Sequence, residues 1–239
     1  MLVAPEQLRR TERGAQLAER LRELRPLEAT ERVLASVSDT VTPQGVVAVL
    51  PLPRPEVPSD PGPLVLVLDG LRDPGNLGTI LRSAEAAGVV RTVGLVNCVD
   101  AYGPKVVRAA MGAHLHLTLL ADATWDQMAS LVADRRTWLA TMSGGVPYDE
   151  VDWRQDSALI IGGEAAGASG EARRLATGTV SIPMTGRAES LNAAMAASIF
   201  VFEVARQRRQ CPDHESAKAT RMHERTHVRT PPPGADDLV

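Results

Sequence analysis

The sequence contains few of the residues on which several classes of protein depend. Its 239 residues include two cysteines, two lysines and 3% aromatic residues, and its formal net charge at pH 7 is −3. Two cysteines give no disulfide framework, which favours a reducing compartment. No run approaches the roughly 18 apolar residues of a membrane-spanning helix, and no apolar signal peptide follows Met1. We therefore expect a cytoplasmic protein without a membrane anchor.

The scarcity of positive charge and of aromatic rings restricts how the protein can bind a nucleic acid. Without a global basic excess, such a partner requires a local basic patch, and this patch must consist mostly of arginine. Few aromatic rings are available for stacking on bases, and the core must be aliphatic. The hydrophobic content of 44% and the charged content of 23% are typical of a globular protein.

Proline marks a boundary early in the chain. The stretch "PLPRPEVPSDPGP" at 51–63 contains too many prolines for a helix or a central strand, and it predicts an extended linker. The polar stretch 211–239, which ends in "TPPPGADDLV", predicts a disordered tail.

The residues before the linker predict a basic helix followed by a strand. Over 6–25, leucines at positions i, i+4 and i+7 predict an amphipathic helix, and a strand is expected at 46–50. Arginines cover the other face of this helix. They form either a solvated surface or a patch that faces RNA. The leucines are Leu17, Leu21 and Leu24.

From residue 64 to residue 210, apolar strands alternate with helices. This alternation predicts an α/β fold with a parallel sheet. We expect strands at "LVLVLD" (64–69), "TVGLVN" (92–97), "LHLTLL" (115–120), "TWLATM" (137–142), "SALIIG" (157–162) and "TVSIPM" (179–184).

Four strand ends are rich in glycine or polar residues, and ligands of parallel sheets bind beyond such carboxyl ends. They are 69–78, 141–145, 162–170 and 184–192, and the last three are expected to form one pocket. The loop "GGEAAGASG" at 162–170 is neither a Walker loop nor a dinucleotide fingerprint, which argues against a nucleotide-dependent oxidoreductase. Its glycines either make tight turns or let a small ligand approach the backbone closely.

Polar residues near these strand ends have both structural and functional interpretations. Asn76 fits a turn or a helix N-cap, and Ser190 fits the start of the last helix. Glu164 by itself would be a solvated loop residue. Arg82 follows apolar neighbours on one helix, and its guanidinium suits an anionic partner such as a phosphodiester.

The histidines do not predict a metal site. Both His114 and His116 are expected to lie along a strand and to be structural. The tail residues have a loosely zinc-like spacing but lack a second cysteine, and we expect no metal. These residues are Cys211, His214, His223 and His227.

Three blocks in order resemble the signature motifs of the SpoU (TrmH-like) class of SPOUT RNA methyltransferases. They are "DGLRDPGNLGTILRSAEAAGV", "LIIGGEAAGAS" and "VSIPMTGRAESLNAAMAASIFVFEVARQR", and the block "GPKVVRAAMGAHLHL" is also similar to the family. The resemblance covers about residues 64–210. It implies a parallel-sheet SPOUT fold with a C-terminal deep trefoil knot, which forms the S-adenosylmethionine pocket. It also implies a homodimer with its site at the subunit interface, and methylation of a ribose 2′-hydroxyl in tRNA or rRNA.

The resemblance assigns roles to residues by their position in the motifs. It implies catalytic roles for Asn76, Arg82, Glu164, Ser190 and Asn192. It implies cofactor contacts at Thr141, Ser143, Gly162, Ile182, Met184, Ser190 and Leu191. For RNA, the candidates are Arg82, Lys105 and Arg108, and no metal is required.

The chain also departs from the family in three places. Residues 1–50 look like a truncated substrate-binding region, similar to a ribosomal L30e protein. Gly163 lies where relatives often carry asparagine. Ala110 lies where many relatives carry serine. This difference removes a hydroxyl that we expect to contact RNA. The alternative function is an RNA-binding module of the same fold without turnover.

Overall fold

A computed structural model describes residues 1–210 except 39, 41, 165 and 189. The chain divides into two compact units, Met1–Arg54 and a second unit that begins at Pro55. The domain roles assigned to 1–50, 51–63 and 64–210 remain predictions. The predicted disordered tail and its zinc-like residues lie outside the described residues. Within the described residues, no helix is long and apolar enough to cross a membrane.

The first unit contains a small sheet with strand order β2-β1-β3. Strand β1 pairs in parallel with β2 and antiparallel with β3. The elements are β1 (Leu2–Val3), α1 (Pro5–Leu8), α2 (Glu12–Leu21), a 3₁₀ helix (Arg22–Leu24), β2 (Leu27–Glu28), α3 (Glu31–Val37) and β3 (Val46–Val47).

The continuous helix predicted over 6–25 is wrong. The side chain of Thr11 accepts a hydrogen bond from the Gly14 amide at 3.0 Å, and this N-cap starts a new helix. Arg25 ends the segment in the left-handed region at φ 47°. The strand expected at 46–50 covers only Val46–Val47.

The second unit is built on seven parallel strands, which confirms the predicted α/β fold with a parallel sheet. The strand order is β6-β5-β4-β9-β7-β10-β8, and every pairing is parallel. The strands are β4 (Leu64–Asp69), β5 (Val90–Val96), β6 (Thr118–Leu120), β7 (Arg136–Thr141), β8 (Val146–Pro147), β9 (Ser157–Gly162) and β10 (Gly178–Ser181). The helices are α4 (Pro74–Ala87), α5 (Pro104–Ala110), α6 (Trp125–Val132), α7 (Gly170–Leu175) and α8 (Ala193–Arg209).

The strand predicted at 115–120 is wrong in its first half. Residues Ala113–Leu115 form a 3₁₀ helix, and β6 begins only at Thr118. The ring of His114 packs against Tyr102, and its Nε2 lies 2.7 Å from the Ala101 carbonyl oxygen. His114 therefore has a structural role, but it lies on a 3₁₀ helix and not along a strand.

The hydrophobic core lies on both faces of the large sheet. In β4, Leu64, Leu66 and Leu68 point to one core cluster, whereas Val65 and Val67 point to the other. The first cluster includes residues of α4, α5 and α8, and the second includes residues of α6 and α7. A strand covered on both faces has a continuous apolar sequence, which is why 64–69 does not alternate with polar residues.

Strand register brings the carboxyl ends of the central strands to one level. Asp69 at the end of β4 pairs with Gly162 at the end of β9. In the same way, Thr141 at the end of β7 pairs with Ser181 at the end of β10. The loops after β4, β7, β9 and β10 therefore meet at one edge of the sheet.

Candidate active site

A cavity of about 620 Å³ lies at the edge where these loops meet. Its walls come from the ends of β7 and β9, the glycine loop after β9, the segment before α8, and α8 itself. Six residues expected to contact a cofactor line it: Thr141, Gly162, Ile182, Met184, Ser190 and Leu191. Ser143 is not among the described lining residues. The last three of the four polar strand ends thus form one pocket, as their sequence suggests.

Close backbone contacts give the glycine loop its shape. The amide and carbonyl groups of Gly163 and Gly167 bond each other at 3.2 and 3.0 Å, and Gly167 has φ +66°. A Cβ at Gly162 would lie 2.6 Å from the Ala168 amide nitrogen. The buried carboxylate of Asp69 accepts a hydrogen bond from the Ser169 amide at 2.6 Å. These contacts hold the loop against the end of β4.

Close packing against the loop after β4 explains why position 163 is a glycine in this chain. A Cβ at this position would lie 2.5 Å from the Gly70 carbonyl oxygen. An asparagine here, which the resemblance leads us to expect, would require the backbone after β4 to move. The departure from the family pattern therefore allows the loops after β4 and β9 to approach each other closely.

A chain of hydrogen bonds joins the three motif segments. Asn76 donates from Nδ2 to Oε1 of Glu164 at 2.8 Å. Asn192 donates from Nδ2 to Oδ1 of Asn76 at 3.0 Å. The other end of the Asn192 amide, Oδ1, accepts from the amides of Ala194 and Met195.

The groups at the two ends of this chain determine which way both amides point. An ionised carboxylate only accepts hydrogen bonds, and backbone amides only donate them. Asn76 must therefore direct its NH₂ group to Glu164, and Asn192 must direct its oxygen to α8. Any reversal of one amide would place two donors or two acceptors against each other.

The structure corrects three sequence interpretations of these residues. The N-cap of α4 is Asp73, whose carboxylate accepts from the Asn76 amide at 2.7 Å, and Asn76 is not a cap. The N-cap of α8 is Asn192 rather than Ser190. Glu164 is also more than a solvated loop residue, because its second oxygen accepts from the Arg72 amide at 3.5 Å.

The predicted RNA-binding residues lie on two packed helices beside this network. Gly78 of α4 packs on α5, where its added Cβ would lie 2.8 Å from the Val106 carbonyl oxygen. Arg82 follows Gly78 by about one helical turn. Its side chain is exposed, as are those of Lys105 and Arg108 on α5. No described residue forms a hydrogen bond or an ion pair with the Arg82 side chain, and Arg82 does not line the cavity.

Ala110 has a different consequence from the one expected from sequence. It is buried in the core under α4. A serine hydroxyl at this position in this chain would meet the core rather than RNA. The expected loss of an RNA-contacting hydroxyl is therefore wrong.

Several lining residues were not predicted. The positions of Met142 and Ala166–Ala168 follow from their place beside predicted residues. Phe200 on α8 lies within the third motif block but was not assigned to the cofactor, and Arg173 on α7 lies outside all the quoted blocks. Only the close approach of α7 and α8 to the strand ends reveals them.

The cavity and the polar network lie within the region that matches a known family. The model of the SpoU rRNA Methylase family matches residues 63–202, so the chain belongs to this family. Within the described residues, no group of three or more His, Cys, Asp or Glu side chains is placed to hold a metal ion.

Two named relatives are similar to this chain over most of its length. The chain is 35% identical to mouse mitochondrial rRNA methyltransferase 3, over 72% of this chain and 55% of the relative. It is 33% identical to the Bacillus subtilis 23S rRNA (guanosine(2553)-2′-O)-methyltransferase RlmP, over 73% of this chain and 70% of the relative. The chain thus spans little more than half the length of the mouse relative.

A solved structure of similar fold contains a ligand. The crystal structure of the SpoU methyltransferase AviRb from Streptomyces viridochromogenes is described as a complex with the cofactor AdoMet. AviRb is 30% identical in sequence to this chain. Comparison of the two structures gives a TM-score of 0.73 and covers 87% of this chain and 82% of the AviRb chain.

Proposed function

We propose that this protein transfers the methyl group of S-adenosylmethionine to a ribose 2′-hydroxyl in a structured RNA, either tRNA or rRNA. The observation that carries the proposal is the hydrogen-bond chain of Glu164, Asn76 and Asn192 beside the cavity. It joins the three motif segments into one site. The Bacillus subtilis relative is named as a 2′-O-methyltransferase.

The cavity fits S-adenosylmethionine in size and chemistry. Its volume of about 620 Å³ lies within the usual range for small-molecule sites. Its walls are mostly apolar side chains and the backbone of the glycine loop, which suit a flat adenine ring with polar edges. We assign the cofactor to the predicted residues that line the cavity. They are Thr141, Gly162, Ile182, Met184, Ser190 and Leu191.

When bound, S-adenosylmethionine supplies an electrophilic methyl group on a sulfonium. The chain must position a ribose hydroxyl, which is a weak nucleophile, and must stabilise charge that develops on its oxygen. A guanidinium stays protonated and is therefore a poor base. We therefore propose that Arg82 binds the phosphate beside the ribose and stabilises the developing charge on the 2′ oxygen. The hydroxyl proton passes to that phosphate or to water, and S-adenosylhomocysteine leaves as the second product.

The remaining predicted site residues position the substrate or contact RNA. The polar atoms of the Asn76 amide bond Glu164 and Asn192, so Asn76 serves as a positioning residue. Glu164 holds the loop after β4, through Asn76 and the Arg72 amide. Ser190 lines the cavity, and we assign its hydroxyl to the orientation of the ribose hydroxyl. Lys105 and Arg108 supply further phosphate contacts.

A trefoil knot and a homodimer are also part of the proposal. Strand β9 lies between β4 and β7, and the chain then continues through β10 to α8, which packs on α4. This order supports a knotted C-terminal segment. On α8, Met195 and Phe202 are seven residues apart and are 57% and 45% exposed. This apolar surface supports pairing with a second copy.

The compartment is a separate proposal. We propose the cytoplasm, which the low cysteine content favours and which suits a relative from Bacillus subtilis. The mouse relative is named as mitochondrial. Fractionation of the source cells distinguishes the two locations.

Calorimetric titration with S-adenosylmethionine tests the cofactor. We expect binding by the wild type and by Arg82→Ala, which lies outside the cavity. We expect a loss of binding in Leu191→Trp, because indole fills the space beside Ser190. Failure of the wild type to bind overturns the proposal.

Methyl transfer to total tRNA and rRNA tests the reaction. We expect 2′-O-methylated nucleotides with the wild type and none with Arg82→Ala. Arg82→Lys keeps the charge but loses the planar donor array, so partial activity is expected. Binding of RNA and cofactor without any transfer supports the alternative, an RNA-binding module.

A further inference from the structure

Two charged side chains occur among the described residues that line the cavity, Glu164 and Arg173. The Glu164 carboxylate already accepts hydrogen bonds on both oxygens, from Asn76 and from the Arg72 amide. The Arg173 guanidinium has no hydrogen-bond or ion-pair partner among the described residues. The cavity wall therefore contains one cation whose charge is not compensated by a described neighbour.

The backbone of Arg173 is held in place while its side chain is exposed. The Arg173 amide donates to the Ser169 carbonyl oxygen at 3.2 Å, and the preceding residue, Ala172, is fully buried. The next residue, Arg174, differs, because its guanidinium pairs with Glu171 at 3.1 Å. Arg174 is also absent from the described lining of the cavity. Two adjacent arginines on one short helix thus have different surroundings.

The charge distribution of the proposed cofactor identifies a partner for Arg173. The sulfonium and the ammonium of S-adenosylmethionine are positive, and its adenine and ribose are neutral. The carboxylate of its amino-acid part is the only anionic group. We infer that Arg173 binds this carboxylate. The inference rests on the proposed function.

This assignment has a consequence for ligand selectivity. Guanidinium and carboxylate form charge-assisted hydrogen bonds, which are stronger than neutral ones. Arg173 should therefore favour S-adenosylhomocysteine, which retains the amino-acid part, over 5′-methylthioadenosine, which lacks it. Removal of the guanidinium should affect the first ligand and spare the second.

Calorimetry with both ligands on wild type, Arg173→Gln and Arg174→Gln tests the inference. For Arg173→Gln, we expect affinity for S-adenosylhomocysteine to fall by about tenfold and affinity for 5′-methylthioadenosine to stay unchanged. Arg173→Lys should retain part of the lost affinity. Arg174→Gln is the matched control and should bind both ligands as the wild type does.

The other outcomes separate this inference from the proposed function. Equal losses for the two ligands, or no loss for either, overturn the role of Arg173 while the cofactor site stands. If Arg173→Gln leaves S-adenosylhomocysteine binding unchanged but lowers the salt dependence of RNA binding, Arg173 contacts an RNA phosphate. This result also overturns the inference that Arg173 binds the cofactor carboxylate. A wild type that binds neither ligand overturns the proposed function and this inference together.

Discussion

Asn192 and Asn76 share a hydrogen bond of 3.0 Å although 116 residues separate them in the chain. The same Asn192 side chain caps α8 through its oxygen. One amide therefore begins the last helix and also holds the segment after β4. These two tasks use different atoms, so a substitution can separate them.

Asn192→Asp should keep the cap and lose the contact with Asn76. Aspartate and asparagine are about equally good N-caps, whereas alanine costs about 1 kcal/mol. We expect the free energy of unfolding of Asn192→Asp to fall by about 1 kcal/mol, because the bond to Asn76 is lost and two acceptors then face each other. That of Asn192→Ala should fall by about 2 kcal/mol, because both this bond and the cap are lost. Methyl transfer should fall by about tenfold in both variants. Denaturant unfolding and a transfer assay measure the two effects, and full activity in Asn192→Asp would contradict the positioning role.

Asn76→Asp should destabilise the site, and Glu164→Gln should compensate. The single Asn76→Asp change places two carboxylates 2.8 Å apart at the present Asn76–Glu164 contact. In the double variant, the introduced glutamine amide donates to the introduced aspartate, which still accepts from Asn192. We expect a coupling free energy of about 1–3 kcal/mol from a double-mutant cycle of unfolding measurements.

Serine substitution of Arg72 provides a control for this cycle. Arg72 contacts Glu164 through its backbone amide alone, so Arg72→Ser should show little coupling to Asn76→Asp. Additive effects of Asn76→Asp and Glu164→Gln would mean that the bond between these residues contributes little.

Gly78→Ala should separate α4 from α5. The added Cβ would meet the Ala109 side chain and would lie 2.8 Å from the Val106 carbonyl oxygen. Overpacking of this kind costs about 1–3 kcal/mol, which thermal or denaturant unfolding can measure. Ala109→Gly in the same chain should restore part of the loss, and no recovery would argue against a direct clash.

Cys98 should react slowly with thiol reagents at neutral pH. Burial raises the pKa of its thiol, and the thiol donates to the Leu68 carbonyl oxygen at 3.2 Å. A raised pKa lowers the thiolate fraction, so the labelling rate should increase only at alkaline pH. Labelling is measured in Cys211→Ser, with the urea-unfolded protein as the control. Equal native and unfolded rates at pH 7 would contradict this prediction.

Glu203 should contribute stability that is lost in acid. Its buried carboxylate accepts two hydrogen bonds of 2.7 Å from the Arg206 guanidinium, which lower its pKa. The folded state then holds the proton less tightly than the unfolded state. The contribution is present above the ordinary glutamate pKa of about 4.3 and is lost as the pH falls below it. The difference in unfolding free energy between wild type and Glu203→Gln should therefore shrink between pH 6 and pH 3.

The sequence by itself determined the class of fold and the location of the cavity. The continuous apolar run at 64–69 indicates a strand buried on both faces, and β4 has this character. Glycine and polar residues at the strand ends locate the pocket, because parallel strands direct these ends to one edge. Such signals are local, since each depends on a few adjacent residues.

Only the tertiary structure decided how these parts are joined. No local pattern predicts that β9 lies between β4 and β7, or that Asn192 caps α8 and bonds Asn76. Arg173 lines the cavity because α7 packs beside it. The strand predicted at 115–120 begins only at Thr118, after a 3₁₀ helix that ends at Leu115. Strand order and contacts across about a hundred residues depend on register and packing of the whole sheet. They follow from which faces are buried together, and no short segment contains that information.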